Sequence, residues 1–488
     1  MKAHRLAAGA GFVLLLGACS FAPDYRPVLV ATPPAYKEAG PWGPAKPLDG
    51  SARGPWWARF GDQGLDRLEP RIEAANSDLA SAVARYDQAR AYAARAQAGL
   101  FPVIDAGAGL SIAKQSATRP LRGAASPNYY GANQLDVQAG YEIDLWGRLR
   151  NQATAGQALA QASAADTASA RLSLQAELAG DYFALRGLDA DAKLLDDTVE
   201  AYQKERDLTQ QLFDGKIVSS MDVSRAETQL QSARADVSDI AARRALLEHA
   251  IAVLVGEPAT AFSLAPDPSD ASPPEIPTGV PSALLQRRPD IASAERQMMA
   301  ANAQIGVARA AFYPALSIGA VGGTQSTGLN LLSAANSFWA VGANLSLPLF
   351  NGGALKADES AAWAKARQTS ADYRSTVLRA FAEVEDNLAL LRWLGQESKQ
   401  ESGAVNAAQH TLDVAMTLYR QGADSYLEVV TAQTPLLQAQ KRALDLQTRR
   451  MLSAVALVRA LGGGWDTAEL PSASEAIKLA PNTTGAGL

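Results

Sequence analysis

Apolar and polar residues alternate along two stretches of this chain. From Leu135 to Leu145, one face collects Leu135, Val137, Ala139, Tyr141, Ile143 and Leu145, and the other Asp136, Gln138, Gly140, Glu142 and Asp144. A period of two places the two sets on opposite faces of a strand. From Phe338 to Leu347, Trp339, Val341, Ala343, Leu345 and Leu347 oppose Ala340, Gly342, Asn344 and Ser346. Residues 103–113 and 314–324 supply a partner strand for each. The later pair lies within 310–355, a run of 46 residues without Asp, Glu, Lys, Arg or His. At the chain's 19% charged fraction, roughly nine charges would be expected there. Glycines together with Pro314 and Pro348 interrupt the run long before the ~20 apolar residues that a spanning helix needs. The alternation is that of transmembrane β-strands, with Trp339, Val341, Leu345 and Leu347 toward lipid and Asp136, Gln138, Glu142, Asp144 and Asn344 toward a water-filled lumen. A half-buried soluble sheet alternates in the same way.

Elsewhere the period is helical. Leu79, Val83, Tyr86 and Arg90 step by threes and fours within an Ala-rich segment from Leu65 to Leu100. A proline-free segment from Trp146 to Leu212 carries the seam Leu178, Tyr182, Leu185, Leu188, Ala192, Leu195, Val199 and Tyr202, and would extend about 100 Å as a helix. Asp222 to Val255 carries a second seam, from Val223 through Leu254. Between them Phe213 to Met221 reads as a tight turn, with Gly215 ending one helix and Ser219 or Ser220 capping the next.

The chain then begins again. Residues 288–314 align without a gap on 76–102 at a constant offset of 212, and the seam recurs in Val377, Phe381, Val384, Leu388 and Leu391. The expected organisation is an export signal over 1–18, an extended Pro-rich tether over 19–64, a first repeat over 65–257, a Pro-rich linker over 258–281, a second repeat over 282–464, and a mobile tail over 465–488. Each repeat reads as helix, strand, strand, very long helix, turn, long helix. The predicted class is mainly α with a membrane β part.

Chemistry adds exclusions. The sequence has three histidines, one cysteine and a net charge of −5, and carries no Gly-rich phosphate loop, Cys/His cluster, nucleophile elbow or basic patch. Catalysis, metal, cofactor and nucleic acid are therefore not expected. Asp136, Glu142 and Asp144 read as solvated lumen groups rather than catalytic carboxylates. The single cysteine, Cys19, follows Leu16-Gly17-Ala18 after an apolar run from Leu6 to Leu16. This segment resembles a bacterial lipoprotein signal peptide, whose cysteine carries the lipid; Ser20 beside it suggests the outer membrane.

Four strands cannot close a barrel, and an open edge in lipid leaves backbone groups unpaired. Several chains must share one, and three would give twelve strands continued by an α-helical tunnel. The duplication, Arg288-Pro289-Asp290-Ile291, Phe312-Tyr313-Pro314, Glu142 through Gly147, and Leu461-Gly462-Gly463-Gly464-Trp465 resemble the outer-membrane factor family of TolC and OprM, in its NodT-type lipoprotein branch. That resemblance implies a homotrimeric exit duct in the bacterial outer membrane, with a lipid at Cys19 and a large periplasmic part. It also implies a periplasmic adaptor and an inner-membrane pump of the RND type, moving drugs, other small molecules or metal ions. Type I protein secretion uses the same duct and is the alternative; a periplasmic coiled-coil adaptor would leave the β-hairpins unexplained. The resemblance further places a periplasmic aperture at the two helix turns, with Asp222, Tyr419, Asp424 and Glu428 at or near the tip. Thr431 stands where the family usually has aspartate. Pro435 is expected to bend its helix one turn from the constriction.

Overall fold

The computed structural model describes residues 20–38, 55–116, 118, 123, 127–268, 272–276 and 281–479. The export signal and Cys19 lie outside the described residues. Helices α1 (Gln63–Ala75) and α2 (Ser77–Ala98) start where Asp62 and Asn76 accept hydrogen bonds from the first free amides. Strands β1 (Val103–Gly109), β2 (Ile112–Lys114), β3 (Tyr129–Gly131) and β4 (Asn133–Ile143) follow, then the long helices α3 (Arg148–Asp214) and α4 (Ser220–Leu254). The second half repeats the series as α5 (Leu284–Arg287), α6 (Pro289–Ala310), β5 (Ala315–Ser326), β6 (Ser337–Ser346), α7 (Ala354–Arg420) and α8 (Tyr426–Ala460).

Helices α3 and α7 both have 67 residues, and α4 and α8 both have 35. At 1.5 Å per residue the longer pair spans ~100 Å. No helix of the described residues is long and apolar enough to cross a membrane. The seams predicted from the sequence are buried: Leu178, Leu185 and Leu195 in α3 and Val377, Val384 and Leu388 in α7 lie in the core.

The sheet has the order β1-β4-β5-β6, antiparallel throughout. Its central pair, β4 with β5, joins the two halves into one surface. β1 stops at Gly109, and the ladder continues as a separate ribbon of β2 with β3.

Two segments depart from the expected tether and tail. Residues 20–38 are extended but packed: Phe21 stacks on Tyr313 with ring centroids 4.3 Å apart, Asn302 donates to the Pro23 carbonyl at 2.8 Å, and Tyr36 enters the main core. Composition conceals this because a few aromatic and backbone contacts suffice to seat an extended chain. Residues 465–479 are likewise docked rather than mobile, since fully buried Ala476 packs on Ala93 and Ala160, and Gln161 donates to the Pro471 carbonyl. The linker is pinned by a buried cluster in which Asp189 accepts from Arg186, Arg244 and the Asp267 amide.

Candidate functional site

Register decides which side chains share a face of the sheet. Residues directly opposite in neighbouring strands point the same way. Glu142 lies opposite Ser317, and Ser317 opposite Asn344; Gly140, Gly319 and Gly342 form the next row on that face. Gln138 stands two residues further along with Asp105 beside it, and Asp136 beyond, facing Gly107. On the opposite face Tyr141 aligns with Ile318 and Ala343, Ala139 with Ala320 and Val341, and Val137 with Gly322 and Trp339. Trp339, Val341, Val137 and Ile104 are all exposed in the single chain. The sheet thus brings Asp136, Gln138, Glu142 and Asn344 onto one polar face, and an open hollow of about 440 Å³ lies at its Glu142, Ser317 and Asn344 end.

Asp144 does not belong to that face. β4 ends at Ile143, and the Asp144 carboxylate accepts from the Leu149 and Arg150 amides at 3.1 and 2.9 Å, at the start of α3. An anion at a helix N-terminus satisfies donors left unpaired and meets the positive end of the dipole. It also pairs with Arg150 at 3.1 Å. Glu142 is held by both arms of Arg148, at 2.9 and 2.6 Å, and so is neutralised rather than free. Sequence reading missed these two arginines. Their signal is the spacing of six from Glu142 to Arg148 and from Asp144 to Arg150, legible only once the strand end is known.

At the far end of the long helices the two turns differ. In the first, the Ser219 amide and hydroxyl donate to the Asp222 carboxylate at 3.2 and 2.8 Å, and Arg225 pairs with its other oxygen at 3.3 Å. Asp222 is a helix cap. Gly215 closes α3 in right-handed geometry, and the left-handed residue is the next one, Lys216, at φ 60°. In the second turn Gly422 takes the left-handed position at φ 71°. Here Asp424 accepts from the Ser425 amide at 2.8 Å, while exposed Glu428 makes no side-chain hydrogen bond or ion pair among the described residues. Thr431 returns its hydroxyl to the Leu427 carbonyl, and Pro435 sits on the exposed side of α8.

Tyr419 is buried, its hydroxyl 3.3 Å from the Thr209 hydroxyl and its ring 5.3 Å from that of Tyr426. Burial raises both phenols above their ordinary range, aided for Tyr426 by the nearby Glu205 charge. Glu205, in α3, is itself pushed up by burial and accepts from Gln433 of α8.

A sheet open at both edges, continued by helical hairpins of about 100 Å, is the architecture of an outer-membrane channel subunit with a large periplasmic part. The chain belongs to the outer membrane efflux protein family, whose model matches residues 70–257 and 280–463. It is 32% identical to the probable efflux pump outer membrane protein TtgC of Pseudomonas putida, over 92% of this chain and 94% of that one. It is 29% identical to the cation efflux system protein CusC of Escherichia coli, over 93% and 97%. The structure of the outer-membrane channel OprN superposes with a TM-score of 0.83 at 30% identity, covering 92% of this chain and all of that one. The family transports and does not catalyse.

Proposed function

We propose that three copies of this chain close a twelve-stranded barrel and form the exit duct of a tripartite efflux system. The duct would receive drugs, other small molecules or metal ions from a periplasmic adaptor and an RND-type inner-membrane pump. The observation carrying the reading is the four-stranded sheet itself: among the described residues its edges, β1 and β6, are unpaired, one face is apolar and exposed, and the other is polar. In lipid an unpaired edge is untenable, so the edges must meet those of other copies. The lipid at Cys19 belongs to the same proposal. Phe21 packs against the mutually touching rings of Trp146 and Tyr313 at the strand-to-helix junction, which would set the acylated end at the membrane surface.

Arginine at mid-membrane costs about 2 to 4 kcal/mol on a lipid face and much less in a lumen. Val341→Arg is therefore expected to abolish most of the heat-resistant trimer in detergent extracts, and Asn344→Arg to leave it. Equal tolerance would overturn the barrel. The aperture forms part of the same proposal, with Tyr419, Asp424, Glu428 and Thr431 around its axis and Pro435 as the bend that lets α8 move. Glu428 carries more of the cation preference than Asp222, whose carboxylate is consumed by Ser219 and Arg225. Asp424→Asn combined with Glu428→Gln is expected to weaken cation selectivity in single-trimer bilayer recordings; unaltered selectivity would leave both acids outside the pore.

A further inference from the structure

The first described residues of the chain lie in a seat built from both repeats. The Ser20 hydroxyl donates to Oδ1 of Asn151, in the first turn of α3, at 3.1 Å, and accepts from the Ala22 amide at 3.3 Å. The Phe21 carbonyl accepts from Arg309 of α6 at 3.4 Å, and Arg309 is itself paired with Glu359 of α7 at 3.2 Å. Gly306 of α6 makes the room: a Cβ there would collide with Nδ2 of Asn151 and with the Ala22 nitrogen. Asn151 is only 7% exposed, yet its Nδ2 has no hydrogen-bond partner among the described residues. A buried donor without an acceptor is costly, so the arrangement calls for one more group. The duplication shows that the seat is no part of the common frame. An offset of 206 relates α3 to α7 and one of 212 relates α6 to α2, so the matching positions are Gly352 for Trp146, Ala357 for Asn151, Arg90 for Asn302 and Ala94 for Gly306. The helices recur there, and the groups that hold Ser20 to Pro23 do not. One of two equivalent junctions has been fitted to a chain end, and each chain has one such end to place.

We propose that Asn151 and Gly306 form the receiving site for the lipid-modified Cys19, whose backbone carbonyl takes the free Nδ2 donor, and that this contact fixes the acyl chains beside the strand-to-helix junction. The inference rests on the lipid reading above and names the residues that receive the lipidated end. Position argues for that occupant. Cys19 is covalently next to Ser20, whose hydroxyl already lies on the same amide, so its carbonyl is the next acceptor that the chain can bring to Asn151. Asn151 and Gly306 act here as positioning residues: the amide orients the cysteine, and the missing side chain lets the strand of residues 20–23 lie close against α6.

The test is amide hydrogen exchange over residues 20–26 of the full-length protein in detergent, with the intact mass recorded to count acyl chains. Asn151→Leu, similar in size and unable to donate or accept, is expected to speed exchange there about ten-fold, the range for losing one or two net hydrogen bonds, with the mass of the lipid unchanged. Gly306→Ala is expected to do the same, although alanine is the better helix residue and would favour α6 if the seat were empty. The same chain exported behind a leader that leaves Ser20 as its first residue has no acylated Cys19. Its exchange is expected to rise to the Asn151→Leu level, and adding Asn151→Leu to it is expected to change nothing further, because both remove one contact. Unchanged exchange in Asn151→Leu and Gly306→Ala overturns the seat. Additive effects of the unlipidated end and Asn151→Leu overturn Cys19 as the occupant and leave Ser20 alone on the amide. A wild-type mass without acyl chains removes the lipid reading, and this occupant with it, whatever the exchange shows. If Asn151→Leu fails to assemble, Gly306→Ala takes its place in each comparison.

Discussion

The two repeats have helices of equal length but tips of opposite character. At an offset of 206, Phe213 corresponds to Tyr419, Lys216 to Gly422, Ser219 to Ser425 and Asp222 to Glu428. The first tip leaves Phe213 39% and Ile217 71% exposed and locks its acid into a cap. The second buries Tyr419 to 6% and Tyr426 to 2% and leaves its acid free. Duplication therefore preserved the backbone frame while the side chains diverged into an outward apolar turn and an anchored turn with an unpaired carboxylate. The starts of the repeats diverge as well. Glu69 in α1, with no exposed surface and both oxygens without a hydrogen-bond partner among the described residues, stands at the offset of 212 from Pro281, which is buried in a short 3-10 turn.

The sharpest way to break the comparison is to truncate equivalent aromatics. Tyr419→Ala is expected to destabilise the second tip by about 3 kcal/mol, as for other buried aromatics, and Phe213→Ala the first by less than about 1 kcal/mol. Amide hydrogen exchange at the two turns reads each effect; equal losses would mean the tips are equivalent in the assembly.

Glu69 gives the next largest effect. Burial raises its carboxyl to about 9, from 4.5. Between those values the unfolded chain releases a proton that the folded chain retains, so stability falls as pH rises from 4.5 toward 9. The slope is about 1.4 kcal/mol per pH unit, or roughly 2 to 3 kcal/mol between pH 6 and pH 8. Glu69→Gln is expected to remove that part of the pH dependence of thermal unfolding in detergent. An unchanged difference between the two pH values would mean the carboxylate is hydrated and charged.

The smallest effect concerns the turn backbones. Lys216→Gly is expected to stabilise the first turn by about 1 kcal/mol and Gly422→Ala to destabilise the second by a similar amount, because only glycine takes the left-handed region freely. Nothing lies within 4 Å of a Cβ built at Gly422, so any loss there reports backbone strain alone. Two null results would mean both turns relax in solution.

Periodicity made the helices, the strands and the repeat legible, because 3.6 and 2.0 residue patterns are imposed locally on every buried face. The alternation of Val137, Tyr141, Trp339 and Val341 against Gln138, Glu142 and Asn344 needed no neighbour to be read. The end of β4 was not legible, since Asp144 continues the alternation and leaves the strand only because the amides of Leu149 and Arg150 compete for it. Gly215 likewise signalled the turn but sits one residue before the position that needs a glycine. Composition misjudged residues 20–38 and 465–479, whose contacts lie hundreds of residues away in sequence, as between Asn302 and Pro23.

The sequence by itself determined two copies of one helix–strand–helix unit, the polar and apolar faces of its strands, and the surplus of helix over strand. Only the tertiary structure decided that β4 and β5 join the copies into one sheet, that Asp222 is spent on a cap while Glu428 is free, and that Gln433 meets Glu205. The physical reason is range: periodicity is set by neighbours along the chain, whereas the partner of a carboxylate is set by whichever donor the fold brings within about 3 Å.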